Sequence, residues 1–300
     1  MNTSAAPRGP FHALHRGERP LLLPCAWDHA SAAALVAQGF PAVGTTSLGV
    51  AAAAGLPDAE GAAREQTLAL GRRLARLPVP VSVDIEGGFS EEPSEVAFLA
   101  RELADAGVAG VNIEDGLPEG RLADPARHAE KIAAVREAAP ELFVNARTDT
   151  HWLAAEPTTA AALRRARLYL EAGADGVFVP ALTEEDGIRA LVGELDAPLN
   201  VLYSPGRHTY RRLAELGVGR VSLGSLLFRA ALHRALELAG SIADPAAEAP
   251  EQLGYGDAQA LAGAWAAGDR TDSTAGDRTP RPSPGAADRA GRAGRAGRLP

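Results

Sequence analysis

Between Leu21 and Leu238 the chain alternates, eight times over, a four-residue apolar run with a longer alanine- and leucine-rich amphipathic stretch. This rhythm restricts the fold more than any other property. Short strands separated by helix-length segments pair in parallel, and a parallel sheet has both faces covered by helices. The runs are Leu21–Pro24, Ala42–Thr45, Val81–Asp84, Gly110–Ile113, Leu142–Asn145, Gly176–Val179, Leu199–Leu202 and Arg220–Leu223. Between them lie helical patterns such as "PSEVAFLARELADAG" and "TAAALRRARLYLEAGA", and Gly39, Gly107, Gly173 and Gly217 stand where helices stop. Eight such units in roughly 220 residues match an α/β fold of (β/α)8 TIM-barrel type. A doubly wound open sheet is the competing arrangement, and the strand count favours the closed barrel. The chain divides into an N-terminal extension (1–20), a barrel domain (21–240), a C-terminal helical extension (241–268) and a tail (269–300). The tail, rich in Asp, Arg, Gly, Pro, Ser and Ala, has almost nothing to bury and is expected to be disordered.

Where three of these runs stop, charge begins. "VSVD" continues as Ile85-Glu86-Gly87-Gly88, "GVNI" as Glu114-Asp115, and "FVNA" as Arg147-Thr148-Asp149. At strand ends of a barrel, Asp84, Glu86, Glu114 and Arg147 converge on the C-terminal mouth, where barrel enzymes carry their sites. Three carboxylates side by side repel one another unless a cation lies among them. The expected ion is magnesium, with manganese as the alternate, held directly by one carboxylate and by others through water. Arg147 presents a planar fork of donors suited to a substrate carboxylate, or else pairs internally with Asp149 or Glu114. The glycine- and serine-containing segment Thr46–Gly49 after the second run can turn successive N–H groups inward as an anion nest.

Other residues narrow the chemistry. Lys131 is the only lysine and sits in a helical pattern away from strand ends, which argues against imine catalysis. Cys25, the only cysteine, excludes an internal disulfide and is expected to be a small buried side chain. His29 is near Cys25 in sequence but stands on a helix start, facing elsewhere; His151 and His208, in loops after the fifth and seventh runs, are expected at the surface, with a role as acid or base at the mouth as the alternative. A net charge of −8 argues against nucleic acid as a partner. No apolar stretch is long enough to span a membrane, and the arginine-bearing N-terminus lacks the apolar centre of a signal peptide, so a cytoplasmic protein is expected. The loop "EDGLPEGRLAD" after the fourth run, 115–125, is polar and long enough to close over a substrate. It holds no cysteine, lysine or histidine, which leaves Glu119, Arg121 or a neighbour as its proton carrier.

In combination, "AWDHASAAALVAQGFPAVGTTSLGVAAAAGLPD", "DIEGGF", "GVNIEDG", "NARTD", "YLEAGADGVFVPAL", "PLNVL" and "LGVGRVSLGSLLFRAAL" resemble the isocitrate lyase and phosphoenolpyruvate mutase superfamily, in the right order from about Leu23 to Leu236. The resemblance implies a magnesium-dependent barrel acting on small 2-oxo or 2-hydroxy acids, assembled as a homodimer or homotetramer with its eighth helix swapped between neighbours. It makes Asp84 the direct metal ligand and Glu86 and Glu114 ligands through water. Arg147, Asp58 and Glu114 become catalytic residues, and Thr46, Ser47, Leu48, Arg147 and Asn200 contacts to the substrate. Two motifs depart from the pattern. The Lys-Lys/Arg-Cys-Gly-His loop of the isocitrate and methylisocitrate lyases is replaced by "EDGLPEGRLAD". The histidine typical of the mutases near the end of the sixth strand is replaced by Val179-Pro180-Ala181. The expected activity is cleavage or formation of a C–C bond through an enolate of pyruvate type. P–C bond chemistry and a non-catalytic metabolite-binding barrel are the alternatives.

Overall fold

Every one of the eight apolar runs forms a strand in the computed structural model, which describes residues 9–242 and 252–265. A helix α1 (Pro10–Leu14) leads into β1 (Leu21–Leu23) and β2 (Cys25–Ala26). Then follow α2 (His29–Ala37), β3 (Val43–Thr45), α3 (Ser47–Ala53), α4 (Arg64–Leu74), β4 (Val81–Asp84), α5 (Pro93–Asp105) and β5 (Gly110–Glu114). A small hairpin, β6 (Gly116–Leu117) with β7 (Arg121–Leu122), precedes α6 (Pro125–Ala138) and β8 (Phe143–Arg147). The remainder is α7 (Thr159–Glu171), β9 (Gly176–Phe178), α8 (Glu185–Glu194), β10 (Leu199–Leu202), α9 (Tyr210–Glu215), β11 (Arg220–Ser222), α10 (Leu226–Ser241) and α11 (Tyr255–Gly263).

The main sheet is parallel and runs β1-β11-β10-β9-β8-β5-β4-β3-β2. Its two end strands, β1 and β2, are halves of a single strand interrupted by Pro24, so the sheet closes on itself as an eight-stranded barrel. Proline has no N–H to give a ladder. The carbonyls on either side of the break serve both neighbours instead: Leu23 accepts from Leu223 N–H at 3.1 Å, and Pro24 accepts from Gly44 N–H at 2.8 Å.

Strand alternation sorts the side chains into two cores. Val81, Val83, Val111, Ile113, Val144 and Ala146 point outward against Leu74, Leu99, Leu103, Ile132 and Val135 of the helices. Val177, Val179, Leu199, Val201 and Val221 do the same against α7, α8 and α9. The inward positions are polar instead. Ser82, Asn112, Asn145, Asn200 and Arg220 form a buried middle layer. Asn145 Nδ2 donates to Asn112 Oδ1 at 2.8 Å, Arg220 Nη2 to the same oxygen at 3.2 Å, and Arg220 Nε to Ser222 Oγ at 2.9 Å. Below this layer α1 plugs the barrel floor. Phe11 meets Phe143 edge-on, ring centroids 5.5 Å apart, and His15 stacks on Phe143 at 4.0 Å. Gly110 makes room for the plug, since a Cβ there would lie 2.8 Å from the Phe11 ring.

Helix α10 buries only Phe228, which packs on Trp27, and leaves Leu232 and Leu236 exposed. Helix α11 lies against α2, where His29 Nε2 meets the Ala264 carbonyl at 3.0 Å. The expected disordered tail, 269–300, lies outside the described residues, as do 1–8 and 243–251. No helix among the described residues is long and apolar enough to cross a membrane.

Candidate active site

The layer above the asparagines carries the chemistry. Residues two apart on a strand share a face, so Ser82 is followed inward by Asp84, Asn112 by Glu114, Asn145 by Arg147, Asn200 by Leu202 and Arg220 by Ser222. Glu114 and Arg147 are also paired across β5 and β8. Their side chains meet at 2.6 Å (Nη1 to Oε2), while Arg147 Nε donates to Asp149 Oδ1 at 2.6 Å. Both internal pairings foreseen for Arg147 are therefore present.

Asp58, Asp84, Glu114, Arg147, Thr46, Ser47 and Leu48 line one cavity of about 350 Å3 at the barrel mouth. Asp84 is anchored from two sides. Its N–H donates to Thr45 Oγ1 at 2.9 Å, and its Oδ1 accepts from Glu86 N–H at 3.1 Å. Glu86, expected at the mouth with the others, does not line this cavity: its backbone is at φ 49°, in the left-handed region, and its Oε2 is turned to accept from Gly61 N–H at 2.9 Å. A non-glycine residue held in that conformation is stored strain of the kind that gathers at functional sites.

Burial dominates the electrostatics. It raises the Asp84 carboxyl against the opposing pull of Arg147. It raises Glu114 well above the usual range for the same reason, with Asp149, Asp84 and Asp58 adding repulsion. Burial likewise pushes Glu86 up to about 7, opposed by the Gly61 N–H and reinforced by Asp84 and Asp58. Burial alone would lower Arg147, but Glu114, Asp149 and Asp84 outweigh it and hold the guanidinium charged. A pocket this acidic, in which carboxylates resist ionising together, suits a hard dication with oxygen ligands. The buried Asp58 Oδ1 and Glu86 Oε1 have no hydrogen-bond partner, which leaves acceptor capacity for metal-bound water. Among the described residues no three such side chains already converge as a ready-made metal cluster. Glu114 is drawn to Arg147 and Glu86 to Gly61, while Asp84 accepts only from the Glu86 N–H among the hydrogen bonds described.

Three expectations need correction. The Thr46 N–H is spent on the Ala26 carbonyl at 3.1 Å. The nest therefore reduces to the N–H groups of Ser47 and Leu48, in the first turn of α3, where helical N–H groups have no partner within the helix. Asn200 does not line the cavity: it lies one layer lower, beneath Leu202, with neither amide atom hydrogen-bonded. Lys131, expected far from strand ends, is buried and reaches the loop after β4, where its Nζ donates to Gly87 O and Glu91 Oε1, both at 3.2 Å. It contacts the outer side of that loop and is not part of the cavity lining. Cys25 is buried as expected, its thiol pushed up to about 11 mainly by burial. His151 and His208 stay off the cavity, bonded to Thr150 and Thr183.

The segment expected as a closing loop is the β6–β7 hairpin, with Glu119 and Gly120 at its tip in left-handed conformations. It is fixed at its base by Asp115, which sequence reasoning did not single out. Asp115 is fully buried; its Oδ1 accepts from Asp149 N–H at 2.8 Å, and its Oδ2 from Arg165 Nη1 at 3.0 Å and Tyr169 OH at 2.6 Å. The Asp115 carbonyl accepts from Ala123 N–H at 2.8 Å, across the open end of the hairpin. Gly116 is required there, because a Cβ would collide with the Asp149 carboxylate.

Residues 11–243 match the family described as phosphoenolpyruvate phosphomutase. The chain is 44% identical over 250 residues to an uncharacterised protein of Mycobacterium tuberculosis (strain ATCC 25618 / H37Rv), covering 83% of this chain and 95% of that one. It is 36% identical over 205 residues to the 2-methylisocitrate lyase of Bacillus subtilis (strain 168), covering 64% of this chain and 65% of the lyase. Among solved structures, a phosphonopyruvate hydrolase in complex with oxalate and Mg++ superposes with a TM-score of 0.74 at 23% identity, covering 86% of this chain and 95% of the hydrolase. That likeness is one of fold. With motifs, barrel and mouth in agreement, the chain belongs to the phosphoenolpyruvate phosphomutase family, within the isocitrate lyase and phosphoenolpyruvate mutase superfamily of lyases and mutases.

Proposed function

We propose that this protein is a magnesium-dependent lyase that breaks or forms a C–C bond of a small 2-oxo or 2-hydroxy acid through an enolate of pyruvate type. The observation that carries the reading is the meeting of Asp84, Glu114 and Asp58 with Arg147 in one cavity at the barrel mouth. Magnesium bound there would act as a Lewis acid on the oxygens of the substrate. Arg147 anchors the carboxylate, and the charges of Glu114 and Asp149 fix its fork in place. The N–H groups of Ser47 and Leu48 face the oxygen on which negative charge grows, the position where preorganised donors contribute most to rate. In a 4-hydroxy-2-oxo acid, for example, the hydroxyl loses its proton and becomes a carbonyl. The C3–C4 bond breaks, and its electron pair becomes the enolate, which a proton then quenches at C3. Glu119, at the hairpin tip and on the cavity wall, is the titratable side chain the hairpin brings to that wall.

The assembly we infer is a homodimer or homotetramer, with α10 exchanged so that Leu232 and Leu236 are covered. We place the enzyme in the cytoplasm.

Asp84→Ala tests the reading. Turnover and the magnesium-dependent rise in melting temperature should vanish together; retention of either removes Asp84 from the metal site. Running the wild type on a panel of 2-oxo acids and phosphonates separates C–C from P–C chemistry, by release of pyruvate without or with phosphate.

A further inference from the structure

The cavity is chemically lopsided. Six carboxylate side chains line it, those of Asp58, Glu60, Asp84, Glu114, Glu119 and Asp149, and Arg147 is the single cation among the described residues that do so. That cation already has two carboxylates on it. Leu117, Trp152, Leu153, Phe178, Pro180 and Leu202, drawn from β6, the loop after β8, β9 and the loop after it, and β10, give it an apolar wall, with the Arg147 guanidinium 5.7 Å from the centre of the Phe178 ring. Trp152 is 54% exposed, a large apolar side chain left uncovered at the mouth.

We infer that the substrate is a 2-oxo or 2-hydroxy acid whose substituent beyond the reacting carbon is uncharged and apolar, and that this substituent packs on the wall formed around Trp152, Phe178 and Leu202. The inference rests on the lyase reading above and adds the substrate class. One carboxylate has a partner in Arg147 and the metal site. A second or third carboxylate on the same molecule would have to desolvate against hydrocarbon beside a cation, Arg147, that already carries two carboxylates, or face six carboxyl groups. An alkyl or aryl group gains from the same wall by leaving water. The cavity of about 350 Å3 is larger than a bare oxalate-sized core needs, so there is room for such a group. Phe178 and Leu202 belong to strands, which makes this part of the wall rigid, and Leu117 joins it from the β6–β7 hairpin.

Inert oxamates separate the head of the ligand from its tail. Calorimetric titration, with magnesium present, compares oxalate, N-methyl-, N-ethyl- and N-propyloxamate, and N-oxalylglycine, whose tail ends in a carboxylate. Each added methylene should tighten binding by about fourfold, the effect of burying one CH2. N-oxalylglycine should bind at least tenfold more weakly than N-propyloxamate. Trp152→Arg, at an exposed loop position tolerant of change, should narrow or reverse that tenfold preference. A flat alkyl series, or N-oxalylglycine binding as tightly as N-propyloxamate, overturns the inference in the wild type alone, whatever the variant does. Oxalate reports only on the head site. If oxalate binds and the alkyl series is flat, the apolar-tail inference fails alone; if oxalate fails to bind, the lyase reading falls and takes the inference with it.

Discussion

Asp115→Asn is the sharpest test of how the site is held together. The substitution is nearly isosteric, and the Asn oxygen can still accept from Asp149 N–H, now 2.8 Å away. Two other partners are lost. Arg165 is almost fully buried, 4% exposed, and Asp115 is its close counter-charge at 3.0 Å; the next carboxylate, Glu156, is 3.6 Å away and 41% exposed. Removing one partner of a buried ion pair costs about 3–5 kcal/mol. The Tyr169 hydroxyl loses a charged acceptor at 2.6 Å, about 1.5–3 kcal/mol in isolation. Both losses involve the same oxygen, so they do not add, and Glu156 recovers part of the first. The expected destabilisation is about 4 kcal/mol, a large fraction of the ~5–15 kcal/mol that holds a typical domain folded. At roughly 2–4 °C per kcal/mol, the melting temperature falls by about 8–16 °C. Urea unfolding followed by circular dichroism measures it. Tyr169→Phe serves as the internal control and should cost about 2 kcal/mol, because it leaves the Arg165–Asp115 pair intact. A loss below about 1 kcal/mol for Asp115→Asn, or a Tyr169→Phe loss equal to it, would show that the buried charge pair is not what anchors the hairpin base.

Two further outcomes follow from the same geometry. Arg147→Lys keeps a positive charge but loses the fork shared by Glu114, Asp149 and the substrate, so kcat/KM should drop about a hundredfold, with KM rising more than kcat falls; a change under about threefold refutes the substrate contact. The second concerns acid stability. Burial lowers the His128 imidazole to about 4, opposed by the charge of Asp115 and aided by Lys131 and Arg165. The unfolded chain therefore takes up a proton near pH 6.5 that the folded protein refuses until about pH 4. His128 thus removes stability as pH falls through that window, on the order of 3 kcal/mol in total. Glu86, raised to about 7, contributes the opposite slope between its unfolded value and 7. The diagnostic is therefore the difference between the wild-type and His128→Gln stability curves, which should shrink steadily below pH 6.5 and stay constant above it; a difference independent of pH contradicts the buried neutral state.

The barrel was legible because its signal is periodic and local: each apolar run and each terminating glycine can be read without knowing its neighbours. The convergence of Asp84, Glu114 and Arg147 was legible for the same reason, since a strand end in a barrel fixes where the next inward side chain stands. What escaped depends on partners distant in sequence. Asp115 looks like a second acid beside Glu114, yet the strand turns it the other way, and its partners Arg165 and Tyr169 lie 50 and 54 residues on, in α7. The hairpin hides in "GLPEGRL" because its turn uses a non-glycine residue, Glu119, in the left-handed region, where Asn or Gly is the usual signal. The Thr46 amide was miscounted because its acceptor, the Ala26 carbonyl, belongs to the neighbouring strand β2, and such pairing is invisible before the sheet is closed.

The polar layer inside the barrel also bears on how the mouth is held. Arg220 is buried at the centre, its pKa lowered to about 10 by burial and raised in part by the charge of Asp84 above it. It is therefore a permanent cation at physiological pH, a keel under the acidic rim. With Arg220 beneath and Arg147 across, the carboxylates keep their posts on the protein's own counter-charges. The rim above Arg220 is thus seated on charge that belongs to the chain itself, so the frame of the mouth stands before anything enters it.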